Sequence, residues 1–323
     1  MSLDRALDRV EAAIDAGRIP GAVLGVIEGG ERQLAARGLS ALLPGKEPMR
    51  EETVFDLASL TKVIFTTERI LHHARAGRID LDAPLITAIP DLRQYDMAAW
   101  ERQVTFRQCL GHQTPFPAVA PIYTYGGDPA TLRAFVLQRE WQRRETPIYS
   151  DINYILLGIA LERIEGRGIR AMDPGPGFTF GPAAEACAPT EVCAWRGRLV
   201  RGEVHDENCH ALGGSGHAGL FGTGAAVLVF AQRLLHRGSG LIGEALSDTR
   251  THGWERRHPG WSGGDACSPG TIGHTGFTGT GLWIDFDTGR AWTLLTNRVH
   301  PTRHAESGIA DLRRQVGDAL NGE

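Results

Sequence analysis

Hydrophobic positions near the two ends of the chain follow clear helix and strand periods. Leu3, Leu7, Val10 and Ile14 recur at helical spacing, which predicts an amphipathic helix over residues 2–16. The unbroken apolar run 22–27 reads as a buried strand, Glu28-Gly29-Gly30-Glu31 as a turn, and 32–37 as the returning strand. Residues 38–53 show no period and read as loop. Near the other end, 281–286 and 291–296 are strand patterns joined by Asp287-Thr288-Gly289. Ile309, Leu312, Val316 and Leu320 then mark a closing helix.

From 59 to about 165 the period is mostly helical, interrupted by proline-rich stretches at 115–121 and around Pro147 and by a turn at Pro84. Residues 153–164 are apolar nearly all round, the pattern of a helix buried on every side. The Gly-, Pro- and Ala-rich segment 166–190 predicts irregular surface chain, and Thr223 is placed to cap a helix over 225–235. The expected architecture is α/β of the α+β kind: one antiparallel sheet built from both termini and flanked by helices, with a mostly helical subdomain inserted. On this reading 1–57 and 222–323 form an α/β lobe, and 58–221 a mostly helical lobe of the same domain.

Composition narrows the function. Hydrophobic content of 42% and charged content of 22% are those of an ordinary soluble protein. A net charge of −4 and a pI near 6.3 give no reason to expect nucleic acid or an anionic membrane as partner. No stretch approaches the ~18 apolar residues of a membrane span. The chain opens directly into its first amphipathic helix without an apolar signal region. Five cysteines, at 109, 187, 193, 209 and 267, form no C-x-x-C pair, and an odd number suits a reducing compartment. These features point to a cytoplasmic protein, with its oligomeric state left open.

Three stretches carry candidate chemistry. In Ser59-Leu60-Thr61-Lys62 the following apolar positions have helical spacing, so Ser59 falls in a first helical turn with Lys62 one turn on along the same face. A serine hydroxyl needs a neighbouring base before it is a good nucleophile; a lysine can be that base, or stay charged and steady an anion. The alternative is a capping serine followed by a solvated lysine. Tyr149-Ser150-Asp151 stands just ahead of the buried helix, where a loop presents side chains to a cleft. A tyrosine acting as general base needs a pKa well below ~10, which nearby cations can provide; the alternative is an ordinary capped helix start. In His274-Thr275-Gly276-Phe277 the glycine allows close backbone approach and an extended edge can pair with an amide, or the stretch is a simple glycine turn.

Ser59-x-x-Lys62, Tyr149-Ser150-Asp151 and His274-Thr275-Gly276 occur in the order, and near the separations, found in penicillin-recognising serine hydrolases, and the chain resembles that family over nearly its whole length. The family includes class C β-lactamases, D-Ala-D-Ala carboxypeptidases, D-aminopeptidases and esterases. Val204-His205-Asp206-Glu207-Asn208, Gly216-His217-Ala218-Gly219-Leu220-Phe221 and Thr296-Asn297-Arg298-Val299-His300-Pro301 are similar to a cytoplasmic-type branch that includes muropeptide amidases. The resemblance implies a β-lactamase/transpeptidase-like fold and an acyl-enzyme mechanism without metal or cofactor. Ser59 would be the nucleophile, Lys62 its hydrogen-bonded cation or base, and Tyr149 the proton carrier. Asp151, His274, Thr275, Gly276 and Phe277 would line the substrate site, with the amides of Ser59 and Phe277 as oxyanion hole. Apart from the resemblance, Arg298, His300 and Arg303 follow a strand end, where they would either hold a substrate carboxylate or mark a capped, solvated helix start.

Two departures matter. Asp151 replaces the family's usual Asn, and a carboxylate beside Lys62 would keep that lysine cationic and leave the proton work to Tyr149. His274 replaces the lysine of β-lactamases, and a largely neutral imidazole attracts a carboxylate less. The second departure argues against a dedicated β-lactamase or carboxypeptidase and towards an esterase, amidase or aminopeptidase-like enzyme of small peptide-like substrates, muropeptides foremost. The alternatives are a promiscuous carboxylesterase with weak β-lactamase activity, or a ligand sensor with little turnover. Gly214-x-Gly216-x-x-Gly219 lacks the flanking strand and acidic residue of a dinucleotide site. His205, Asp206, Glu207, His210 and His217 match no firm metal spacing.

Overall fold

The computed structural model describes residues 2–322. A seven-stranded antiparallel sheet draws on both ends of the chain. Its order is β3 (Glu47–Pro48), β2 (Glu31–Ala41), β1 (Gly21–Glu28), β12 (Arg290–Thr296), β11 (Thr280–Asp285), β10 (Thr271–Thr275) and β9 (Glu255–Arg256). The two ends meet where β1 pairs with β12, Ala22 opposite Thr296 and Ile27 opposite Ala291.

Side chains alternate across the sheet. Ala22, Leu24, Val26, Trp292 and Leu294 pack in one core with α1 (Ser2–Asp15) and α9 (Ile309–Asn321). Val23, Ile27, Ala291 and Leu295 join the other core with Val227, Leu228 and Leu234 of α7 (Gly224–Arg237). Covered on both faces, β1 shows a continuous apolar run rather than alternation. Thr223 accepts the Ala226 N–H at 3.2 Å and caps α7, as its position in the sequence implied.

The intervening chain holds α2 (Glu68–Arg75), α3 (Phe106–Leu110), α4 (Pro129–Gln138), α5 (Asp151–Glu165) and α6 (Glu207–Ala211), with α8 (Gly240–Gly243) following α7. Two small sheets tie it together: β4 (Phe55–Asp56) with β8 (Phe221–Gly222) and β5 (Phe178–Thr179), and β6 (Val192–Cys193) with β7 (Arg198–Leu199). This region is less helical than its periodicity implied. Residues 76–105 and 111–128 contain only short 3-10 turns, because prolines at 84, 90, 115, 117 and 121 interrupt any longer helix. The all-apolar pattern at 153–164 is borne out, with α5 at the centre of the larger core. A Cβ on Gly158 would lie 2.5 Å from the Gly216 amide, so only glycine lets the 213–219 loop rest directly on α5.

Of the two readings open for His274-Thr275-Gly276-Phe277, an extended edge or a glycine turn, the structure shows a strand up to Thr275, namely β10. It pairs with β11 from Thr271 to Thr275, but with β9 only at Ile272 and Gly273. Among the described residues, the outer edge at His274 and Thr275 therefore has no strand beside it. Among the described residues no helix is long and apolar enough to cross a membrane.

Candidate active site

Ser59 sits one residue ahead of the position expected for it: the helix begins at Leu60, runs as a π-helical turn over Lys62–Thr67, and continues as α2. The preceding residue, Ala58, has φ +48°, a left-handed conformation that a non-glycine residue adopts only when its surroundings impose it. Buried Asp56 does so. One carboxylate oxygen accepts the Ala58 N–H at 2.8 Å and the other the His205 N–H at 2.6 Å. The turn that raises Ser59 is thereby tied to the loop before α6.

Lys62 is fully enclosed. Its ammonium donates to Ser59 Oγ at 2.9 Å and to the His217 carbonyl at 2.9 Å, and lies 2.8 Å from Asp151 Oδ1. Burial alone lowers its pKa, but the charge of Asp151 and the Tyr149 hydroxyl outweigh it and leave the pKa above the ordinary lysine value. Lys62 is a cation, as the Asp151 departure implied. The His217 carbonyl is held in place from its own side chain, which bonds Asp206 at 2.9 Å and Ser215 at 2.8 Å.

Tyr149 enters from the loop ahead of α5 beside Lys62, whose Nζ lies 5.2 Å from the centre of its ring. The expected lowering of its pKa is not met. Burial pushes the phenol up more than Lys62 pulls it down, so Tyr149 stays protonated near neutrality. Two residues that no sequence signal marked pack on its ring: His112, with centroids 4.3 Å apart, and Arg250, with its guanidinium carbon 5.3 Å away. His112 is itself left-handed, at φ +54°, and its Nδ1 accepts the Ser150 N–H at 3.1 Å. The half-buried Arg250 guanidinium has neither carboxylate nor hydrogen-bond partner among the described residues.

The β10 residues complete the cleft. His274 is buried, donates through Nδ1 to the Thr275 carbonyl at 3.0 Å, and leaves Nε2 without a partner. Burial, with Lys62 and Arg250 nearby, holds its pKa well below the ordinary value, so it is neutral. A side chain on Gly276 would overlap the Thr280 hydroxyl and sit 2.7 Å from the Leu57 carbonyl, so glycine is what lets β10 lie against the Ser59 turn. Thr278 and Thr280 stitch the two together through their hydroxyls, to the carbonyls of Asp56 at 2.8 Å and Leu57 at 3.0 Å. The Ser59 and Phe277 amides donate no hydrogen bond among the described residues. The Phe277 ring is exposed, with Arg298 stacked 4.5 Å from its centroid.

Arg303 does not stand free for a substrate carboxylate. Its guanidinium bonds Glu191 at 2.9 Å and also Glu207, so two carboxylates already answer its charge. The same guanidinium sits between the carboxylates of the Glu191, Cys193 and Glu207 group, whose spacing would otherwise suit a cation. The other histidines do not converge either: His205 stacks on Phe277, His217 bonds Asp206, and His210 lies 3.7 Å from Glu203. Gly216 is a packing contact against α5.

A family model described as Beta-lactamase matches residues 7–316. The chain belongs to the beta-lactamase family. This beta-lactamase-family protein is 27% identical to an N-acetylmuramyl-L-alanine amidase of Bacillus subtilis (strain 168), over 90% of its own length and 80% of the relative's. It is 28% identical to a putative D-alanyl-D-alanine carboxypeptidase of Salmonella agona (strain SL483), over 77% and 70% of the two lengths. Among solved structures, EstCE1, described as a hydrolase with promiscuous acyltransferase activity, superposes with a TM-score of 0.75 at 19% identity, covering 99% of this chain and 98% of that one. A class C beta lactamase does so with a TM-score of 0.75 at 16% identity and the same coverage. The fold is that of the β-lactamase/transpeptidase group, and this beta-lactamase-family chain is a serine hydrolase.

Proposed function

We propose that the enzyme cleaves amide or ester bonds of small peptide-like molecules through an acyl-enzyme on Ser59, with cell-wall muropeptide fragments as the natural substrate class. The observation that carries this reading is the enclosed Lys62 ammonium, 2.9 Å from Ser59 Oγ and 2.8 Å from Asp151. Ser59 attacks the substrate carbonyl while its proton passes to Tyr149, once the Lys62–Tyr149 pair has released one of its two protons. The oxyanion is received by the Ser59 and Phe277 amides, where loss of one donor typically costs ~3 kcal/mol. Tyr149 then protonates the leaving group, and water repeats the sequence in reverse roles to free the enzyme. Support for muropeptides comes from the amidase and carboxypeptidase relatives. Five cysteines without a disulfide support a cytoplasmic location.

The test is incubation with an activated acyl donor followed by peptide mass mapping, beside turnover assays on a muropeptide panel. A mass shift on Ser59 with turnover of muropeptides is expected; a shift elsewhere, or none, defeats the mechanism. One feature favours the carboxylesterase reading: neutral His274 offers no fixed cation on β10 for a substrate carboxylate. Faster turnover of simple chromogenic esters than of any muropeptide would select it. A stable Ser59 adduct without turnover would select a sensor.

A further inference from the structure

Helix α9 lies on the far side of the sheet from the nucleophile, yet one of its side chains crosses back to the cleft strand. Arg313 is buried, and its Nη2 donates to the Gly276 carbonyl at 2.8 Å and to the Thr280 carbonyl at 2.7 Å. No carboxylate pairs with it among the described residues. Burial, with repulsion from Arg298, brings its pKa down to about 9, which still leaves it charged at neutral pH. A buried guanidinium without an anion is costly, and packing alone gives it no purpose there.

The two carbonyls it holds are informative. Gly276 C=O and Phe277 N–H belong to one planar trans peptide, so they point in opposite directions. A guanidinium that fixes the carbonyl inward turns the Phe277 amide outward, towards the cleft. The Thr280 carbonyl also accepts the Gly276 N–H at 2.8 Å, so the same nitrogen braces both ends of the bend. Gly279 N–H adds a further bond to the Gly276 carbonyl at 3.1 Å. The result is an amide locked in orientation before substrate arrives.

We infer that Arg313 is a positioning residue for the oxyanion donor at Phe277, acting through the Gly276–Phe277 peptide from behind the sheet. The inference rests on the acyl-enzyme reading of Ser59. Its effect is specific to the tetrahedral stage, because a planar substrate carbonyl gains less from the aligned amide than an oxyanion does.

The experiment compares Arg313→Gln and Arg313→Lys with the unaltered enzyme, using a chromogenic ester and an arylboronic acid that forms a tetrahedral adduct on serine. In Arg313→Gln, kcat is expected to fall about tenfold to a hundredfold with KM within about twofold, and boronate affinity to fall in parallel. Arg313→Lys, which keeps the charge and one donor, should fall between the two. A folded Arg313→Gln enzyme with unchanged kcat overturns the inference, as does lost kcat with unchanged boronate affinity, which would mark a purely structural role. Should the glutamine variant not fold, Arg313→Lys decides: unchanged kcat and boronate affinity overturn it, a parallel loss supports it. Failure of the unaltered enzyme to acylate at Ser59 would instead defeat the underlying mechanism, and is read separately by mass.

Discussion

Lys62 Nζ and Asp151 Oδ1 lie 2.8 Å apart, with no part of the lysine side chain exposed. This contact separates two roles that a lysine beside a serine can take. A free amine would accept the serine proton; an ammonium paired with a carboxylate orients the hydroxyl and its phenol neighbour and balances charge as the proton moves.

Lys62→Arg, which keeps the cation, should retain measurable ester hydrolysis, whereas Lys62→Met should lose ~10²-fold or more in kcat. Tyr149→Phe removes the proposed proton carrier and should reduce kcat by ~10²–10⁴-fold. Steady-state kinetics on a chromogenic ester, with circular dichroism to confirm folding, checks all three. A Tyr149→Phe enzyme with unchanged kcat would contradict the proposed proton path.

The pH profile follows from the same pair. Lys62 and Tyr149 both hold their protons at neutrality, each shifted above its ordinary value. The reactive form has lost one of them, so its fraction, and with it kcat/KM, should rise with pH on the alkaline side. Asp151→Asn withdraws the charge that holds the lysine proton and should move this limb towards neutral pH. A profile flat from pH 7 to about 10, or a limb unmoved in Asp151→Asn, would speak against the assignment.

Asp56 makes a prediction about stability. Burial, partly offset by the His205 and Ala58 N–H bonds, raises its pKa from 3.8 to about 6. Between those values the folded protein keeps a proton that the unfolded chain has released. The group's contribution to stability is therefore fully present below the unfolded value and lost as pH rises through the folded one. Urea unfolding of Asp56→Asn across this range should show a stability that falls less with rising pH than in the unaltered protein. Identical slopes would show that the carboxyl does not titrate there.

Gly276→Ala tests the contact between β10 and the nucleophile turn. The added methyl would overlap the Thr280 hydroxyl and crowd the Leu57 carbonyl, forcing the strand outward. A stability loss of ~1–3 kcal/mol is expected from overpacking, with a larger proportional loss of kcat as the two amides separate. Thermal melts beside ester kinetics measure both; an alanine variant with full activity would mean that the strand need not approach so closely.

Legibility in the sequence varied with the range of the interactions concerned. The terminal helices, β1, β11, β12 and α5 were readable because their burial is periodic and local. At residues 274–277 the glycines that the close approach of β10 requires left an extended edge and a turn equally open. The cationic state of Lys62 could be argued from Asp151 alone, but the protonated state of Tyr149 depends on a balance of burial against neighbouring charge that only packing sets. Arg303 looked like an anion anchor because its partners, Glu191 and Glu207, stand about a hundred positions away along the chain. His112, Arg250 and Arg313 occur in no motif. Their roles come from geometry: a ring against a phenol, a cation over that ring, and a guanidinium reaching through the sheet.

The joining of β1 to β12, and of α9 to the bend after β10, has a consequence for the life of the molecule on the ribosome. Ser59 and Lys62 are synthesised well before β10, which packs against their turn, and before α9, whose Arg313 bonds the bend after that strand. A nascent chain that has exposed Ser59 therefore still lacks the β10 wall of the cleft. On the proposed mechanism, acylation at Ser59 waits until β10 and α9 have joined the fold.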